Sequence, residues 1–197
     1  MKLHNDLVQG SDEWFKIRLG KLTASTAQAI ATNGTGLDTL VFEKVAETIT
    51  GKQKSSYTSS DVERGKEMEM TARNSYEIET GNVVEVVGFV ELDKFTGCSP
   101  DGFVGEDGLV EIKCKNDANF ARFMYDKKVD SEHNWQMQME MYITGRKWCD
   151  YVLFNENFPK TTLITRVERN EADIDKLKQG LESGIIKIKD ILKKING

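Results

Sequence analysis

The stretch SPDGFVGEDGLVEIKCK, residues 99–115, decides how this chain is read. Within GLVEIKCK, 108–115, Leu109, Glu111 and Lys113 alternate with Val110, Ile112 and Cys114. A period of two predicts a β-strand that turns Glu111 and Lys113 to one face and its apolar residues to a core on the other. Asp101 follows Pro100, where a preceding strand ends or turns. A sheet that brings Asp101 beside Glu111 would gather two carboxylates and an amine around one point. Those carboxylates, with the backbone carbonyl of Ile112, are hard oxygen ligands of the kind Mg²⁺ takes. Such an ion polarises a phosphate oxygen and acidifies a water. Lys113 would then hold or deprotonate that water, or steady charge on the phosphate. On an arbitrary strand, Glu-x-Lys is only a solvated hairpin face. The Pro-Asp-Gly upstream and the Val-Glu-Ile run favour a site here.

Outward from this stretch the elements follow by pattern. Residues 39–50 read as a helix, with Leu40, Val41, Val45 and Ile49 at helical spacing. Residues 62–79 read as a second helix, rich in Glu, Met, Ala and Arg and stopped by Gly81. NGTG, 33–36, is a turn, and the polar segment 52–61 is an exposed loop. VVEVVGFV, 83–90, is a β-branched strand, and 95–105 a short strand followed by a turn. WQMQMEMYITG, 135–145, alternates like a strand but is made of helix formers before a capping glycine, so its pattern leaves both open. Residues 148–156 and 161–169 pair as strands. Ile174, Leu177, Leu181, Ile185, Ile188, Leu192 and Ile195 define a C-terminal helix. This order predicts a single α/β or α+β domain over 1–197, with a mixed central sheet flanked by helices.

With 197 residues, 39% hydrophobic and 30% charged, the chain can bury a core. Its net charge of −5 weighs against a broad basic surface, so any case for DNA must rest on a local site. Only two histidines, His4 and His133, are available as imidazoles. Cys98, Cys114 and Cys149 form no CxxC pair, so a zinc knuckle or iron–sulfur cluster is not expected. The start, MKLHNDLVQGSDEW, has no apolar signal region, and no apolar run would span a bilayer. A cytoplasmic protein is the expectation.

Together, four segments resemble a known family. PD followed by ExK resembles the PD-(D/E)xK nuclease superfamily. EWFKIRLGKLTAS, 13–25, resembles the N-terminal motif of the lambda-exonuclease and YqaJ-type viral recombinases. ERGKEMEMTARNSYEIETG, 63–81, and WQMQMEMYIT, 135–144, resemble their second helix and their glutamine-bearing helix. The segments span 13 to 144 in the family's order.

The resemblance implies a restriction-endonuclease-like fold and makes 135–144 a helix. It implies a 5′-to-3′ exonuclease that works from duplex DNA ends with Mg²⁺ or Mn²⁺ in the cytoplasm of a bacterial host. A ring-shaped homotrimer would enclose DNA and leave a 3′ strand for a single-strand annealing protein. By motif, Asp101 and Glu111 match the metal carboxylates, Lys113 the catalytic lysine, and Glu69 the helix carboxylate. Gln138 matches the glutamine that reaches the site, with Gln136 its neighbouring alternative. Arg18 and Ser25 match the 5′-phosphate pocket, and an Arg fork with a hydroxyl suits a terminal phosphate. By pattern alone, Glu69 is a solvated helix residue and the glutamines a packed helix flank, while for Arg18 an ion pair with Glu13 or another helix neighbour stands level with the phosphate reading. Trp14, Phe15, Ile17 and Leu19 read as core. Lys52, Lys54, Lys115, Arg122, Lys127 and Lys128 could track a phosphate backbone, and the 52–61 loop could part the strands. The rival readings are a nicking or structure-specific endonuclease of the superfamily, and a non-catalytic DNA-end-binding module.

Overall fold

The structure is a computed structural model that describes residues 1–53 and 60–197, without the side chains of 60–67. In chain order the elements are β1 (Lys2–His4), α1 (Asp12–Arg18), β2 (Leu22–Thr23), a 3-10 turn (Ala24–Thr26), α2 (Ala27–Thr32), α3 (Thr35–Thr50) and α4 (Ser60–Thr80). Then come β3 (Val84–Glu85), β4 (Phe89–Asp93), β5 (Thr96–Cys98), β6 (Gly102–Val104) and β7 (Gly108–Cys114). The chain closes with α5 (Asp117–Asp126), α6 (Ser131–Thr144), β8 (Trp148–Phe154), β9 (Thr162–Glu168) and α7 (Glu171–Asn196). Most of the 52–61 segment, including Lys54, lies outside the described residues.

The central sheet is mixed, in the order β3-β6-β7-β8-β9. β7 runs parallel to β8, with Glu111 opposite Tyr151, while every other pair in this sheet is antiparallel. Parallel neighbours need a long crossover, and α5 with α6 supplies it. The expected alternation along β7 holds, but both of its faces are covered. Val110 and Ile112 pack with Ala72 and Tyr76 of α4, whereas Leu109 joins Tyr151, Leu153 and Met137 in the larger cluster. α7 closes that larger cluster by packing on α2, α3 and α6. Ile174, Leu177, Leu181 and Ile188 are buried as its stripe predicts, while Ile195 is exposed.

A second, four-stranded sheet, β1-β4-β5-β2, lies beside the first, and the sequence reading had not separated it. The stretch read as one strand over 83–90 is two, β3 and β4, in different sheets. Gly88 sits at the break, where a Cβ would collide with the Leu7 and His4 carbonyls. Likewise 95–105 divides into β5 and β6, again in different sheets, at Ser99-Pro100-Asp101. Pro100 has no N–H to continue a ladder. Asp101 is thereby placed beside β7 at the point where the chain passes between sheets.

α6 is a helix, ended by Gly145 at a φ of 75°. Met137, Gln138, Met139, Glu140, Met141 and Ile143 are all buried. A helix enclosed on every side shows no apolar stripe, which is why its pattern imitated a strand. α4 is fastened to the sheet by polar contacts. The Tyr76 hydroxyl donates to Asp150 Oδ2 at 2.8 Å, and Arg166 grips both Asp150 oxygens at 2.8 and 3.0 Å.

Candidate active site

β7 carries Glu111 and Lys113 on one face, as its period of two requires. The Lys113 ammonium lies 2.6 Å from Glu111 Oε1, and Glu111 is 1% exposed. From the adjoining turn, Asp101 Oδ2 accepts a hydrogen bond from the Ile112 amide at 2.6 Å. Asp101 is thus tied to the strand position whose carbonyl was expected to join the site. Burial first, then the neighbouring Glu111, pushes the Asp101 carboxyl well above its ordinary range. For Lys113, burial alone would lower the pKa, but Glu111 and Asp101 overcome it and hold the amine protonated.

Glu69 projects from α4, half exposed, and its Oε1 accepts from Arg73 Nη2 at 3.0 Å one helical turn away. Its charge reaches Asp101 and helps raise that carboxyl. Glu69 therefore stands at the rim of the cluster.

α6 contributes Gln136, and here the structure corrects the sequence reading. Gln136 Nε2 donates to Glu111 Oε1 at 2.7 Å and to Glu140 Oε1 at 3.0 Å. Gln138, read as the glutamine that reaches the site, does not face it. Its Nε2 donates to the Glu168 carbonyl at 2.8 Å, and its Oε1 accepts from the Asn170 amide at 2.8 Å. Residues two apart on a helix point about 200° apart, so only one of the pair can face β7. Gln138 instead pins the junction of β9 and α7.

Sequence reasoning missed Glu140. It is 0% exposed, and burial followed by Glu111 raises its carboxyl well above the ordinary range. Its spacing of four from Gln136 puts both on one helix face, a signal that becomes legible once 135–144 is taken as a helix. Asp101, Glu111 and Glu140 outnumber Lys113. Glu111 Oε2 and Glu140 Oε2 are buried without a hydrogen-bond partner among the described residues. Excess carboxylate with unused hard oxygens is a donor set that suits a divalent cation. Among the described residues no three such groups converge into a ready-made cage, and a hard ion held by one or two carboxylates completes its shell with water.

A second feature lies at the end of α1, whose first turn is capped by Ser11. Arg18 reaches three hydroxyls: Ser99 at 3.1 Å, Ser25 at 3.4 Å and Thr23 at 3.5 Å. Its guanidinium stacks 4.1 Å from the centre of the Trp14 ring. It makes no ion pair with Glu13 or with any other described residue, so the expected alternative of a helix salt bridge is not what the structure holds. Burial pushes its pKa down to about 10. Arg18, Thr23, Ser25 and Thr26 line a small cavity of about 120 Å³ together with the ion-paired Lys44 and Glu47. Trp14 is not core; no α1 residue is fully buried, and its indole N–H donates to Ser99 Oγ at 2.9 Å. Ser99 therefore joins the arginine cavity to the Pro100-Asp101 turn.

Lys115, Arg122 and Lys128 line one groove just beyond the end of β7, with Asp126 and Asp130 interspersed. Lys127 lines a neighbouring cavity with Lys160, and Lys52 is exposed.

The family model for the YqaJ-like viral recombinase domain matches residues 13–147. The chain belongs to the YqaJ-like viral recombinase family. Among solved structures, this YqaJ-like chain is similar to an alkaline exonuclease (LHK-Exo) from Laribacter hongkongensis. The two share 33% identity over 94% of this chain and 96% of the other, at a TM-score of 0.88. LHK-Exo in complex with dAMP matches with a TM-score of 0.87, at the same identity and coverage. A phage related exonuclease from Haemophilus somnus 129PT is 15% identical over 89% of this chain and 96% of the other, with a TM-score of 0.69, and shares the fold. No curated protein matches the chain significantly. The YqaJ-like chain thus has the restriction-endonuclease-like fold that its motifs implied, and no described helix is long and apolar enough to cross a membrane.

Proposed function

We propose that this YqaJ-like chain is a DNA exonuclease that degrades one strand of a duplex from its 5′ end, with Mg²⁺ or Mn²⁺ as cofactor. The observation that carries the reading is the joining of two unlike sites through Ser99: a hydroxyl-lined cavity in which Arg18 and Lys44 outnumber Glu47, and a carboxylate–lysine cluster. The likeness to LHK-Exo supports exonuclease chemistry, and that relative's complex with dAMP supports a nucleotide product.

In this reading Arg18, with Ser25 and Thr23, binds the terminal 5′-phosphate and so measures the strand end. Asp101 and Glu111, with the Ile112 carbonyl, hold the cation, and Glu69 lies at its margin. When bound, the ion polarises the scissile phosphate and lowers the pKa of a water. Lys113, held protonated, donates to the phosphate as negative charge grows on its oxygens. Water adds to phosphorus and the bond to the 3′-oxygen breaks. The released nucleotide keeps its 5′-phosphate and gains a 3′-hydroxyl. The shortened strand begins with a new 5′-phosphate, which again fits the Arg18 cavity. Lys115, Arg122 and Lys128 lie where they can follow the backbone. The family resemblance extends the proposal to a ring-shaped homotrimer, to a single-strand annealing protein as recipient of the 3′ strand, and to the cytoplasm of a bacterial host.

The test uses linear duplex DNA labelled on one strand, with Mg²⁺ or chelator, and Lys113→Ala as control. Metal-dependent loss of the strand from its 5′ end, with its complement intact and the activity lowered by about 10²-fold or more in the variant, is expected. Nicking of closed circles without digestion of linear ends would replace this reading with the endonuclease one.

A further inference from the structure

Glu140 adds to the carboxylate excess of the cluster but is given no contact with substrate or cation in the reading above, yet it is fully buried on the face of α6 that meets the site. Packing does not explain it. An acidic side chain with an unpartnered buried oxygen costs folding free energy that a methionine of similar shape would not.

What Glu140 does touch is the Gln136 amide. That single nitrogen donates to Glu111 Oε1 at 2.7 Å and to Glu140 Oε1 at 3.0 Å. A primary amide nitrogen carries two hydrogens, so both are engaged. Rotating the amide by 180° would take both N–H donors away from Glu111 Oε1 and Glu140 Oε1 and set its carbonyl oxygen against the Glu111 oxygen that Lys113 also contacts. The carboxylates therefore fix which way the amide points. The remaining polar atom, Gln136 Oε1, accepts no hydrogen bond among the described residues. It is not among the fully buried, unpartnered polar atoms, so it keeps some accessible surface. Glu111 gives the amide one acceptor, and Glu140 Oε1 at 3.0 Å is the second, so that two fixed points set the plane of the amide.

We propose that Glu140 is a positioning residue that holds the Gln136 amide so that its carbonyl oxygen is a fixed acceptor for the attacking water. The inference rests on the nuclease reading. Phosphate oxygens carry no hydrogen to give this acceptor; the water that attacks phosphorus does, and orienting it aligns its lone pair for attack.

The test is steady-state digestion of linear duplex by wild type, Glu140→Gln, Glu140→Met, Gln136→Ala and the double variant Gln136→Ala/Glu140→Met, with thermal melting of each. Glutamine keeps an oxygen acceptor for the Gln136 amide, whereas methionine keeps only the shape. Glu140→Met is expected to melt no lower than wild type and to lose about tenfold to a hundredfold in kcat with KM within about threefold. Glu140→Gln restores activity to within about fivefold of wild type. In the Gln136→Ala background, Glu140→Met costs less than about a further twofold, because its effect passes through Gln136. Additive losses, a change confined to KM, or a Glu140→Met enzyme as fast as wild type would each overturn the inference while wild type remains active. A wild-type chain inert on linear duplex would overturn the nuclease reading and the inference together.

Discussion

Arg18 gives the sharpest quantitative expectation. Its hydroxyl contacts to Ser25 and Thr23, at 3.4 and 3.5 Å, are longer than ordinary hydrogen bonds. Only the 3.1 Å contact to Ser99 is of normal length. No carboxylate pairs with it among the described residues, and burial has pushed its pKa down to about 10. The guanidinium is thus partly dehydrated, and its nearest counter-charge, Glu47 in the same cavity, is already engaged by Lys44, a state from which a contacting dianion gains. A terminal phosphate would supply a charge in direct contact and one or two charge-assisted hydrogen bonds, worth about 2–3 kcal/mol after desolvation. At about 1.4 kcal/mol per tenfold, that is a preference of about 30-fold to 150-fold in kcat/KM for 5′-phosphoryl over 5′-hydroxyl ends.

The perturbation is Arg18→Met, which preserves a flexible stem to lie on Trp14 and deletes only the fork. The preference should collapse towards one, chiefly through slower digestion of the phosphorylated end. Arg18→Lys keeps a charge but cannot grip two oxygens at once, so it should fall between. The assay is competitive digestion of the two ends in one tube, which cancels differences in active enzyme concentration. If Arg18→Met lowers activity on both ends equally and leaves the ratio intact, Arg18 only braces α1, and the phosphate reading of the cavity is wrong. A wild-type ratio near one would refute it as well.

Two further expectations separate structure from chemistry. Gln138→Ala strips buried partners from the Glu168 carbonyl and the Asn170 amide, so it should cost about 2–4 kcal/mol in denaturant unfolding; at temperatures where it stays folded, kcat should match wild type, and a large loss of kcat would return Gln138 to the site. His133 is pushed down to about 4, first by burial and then by Lys113 and Lys115, from an ordinary value of 6.5. Its folded pKa is the lower one, so its contribution to stability is complete above about pH 6.5 and is lost as pH falls towards 4. His133→Gln can keep a hydrogen bond to the Tyr151 hydroxyl but does not titrate, so stability should fall less from pH 7 to pH 5 than in wild type; an identical fall would show that His133 is not the group responsible.

β7 was legible because its signal is local. A period of two places Glu111 and Lys113 on one face whatever surrounds the strand. The break at Gly88 was not legible, because it arises from the close approach of the Leu7 and His4 carbonyls, more than 80 positions away in sequence. The same holds for Pro100: the sequence shows a turn, but not that the turn changes sheets. α6 was ambiguous for a different reason. Enclosure on all sides removes the contrast between faces on which periodicity depends. The two glutamines show where motif matching loses resolution. Gln136 and Gln138 are alike in chemistry and adjacent in the motif, and only the position of β7 against one face of α6 distinguishes them. Glu140 carries no motif of its own, and its one local signal is the spacing of four that places it on the Gln136 face once 135–144 is a helix.

The net charge of −5 is the fact least favourable to a DNA enzyme, and its force depends on where the acids are. Several are neutralised within contact distance: Glu47 by Lys44, Asp150 by Arg166, Asp173 by Lys176 and Asp175 by Lys178. Such pairs present only short-range dipoles, and salt screens single charges beyond about 8 Å at physiological ionic strength. What a phosphate backbone meets is therefore the local field. In the groove just past Lys113 that field comes from Lys115, Arg122 and Lys128 against Asp126 and Asp130. At the catalytic cluster the excess is negative, and on the proposed mechanism it must be, because the same carboxylates are what retain a divalent cation. A second lysine in place of Glu140 would make the chain less acidic and a better match for DNA on bulk charge. It would also compete with the cation for Glu111 and leave the Gln136 amide unfixed, so the acidity that argued against a nuclease is, at this site, a requirement for one.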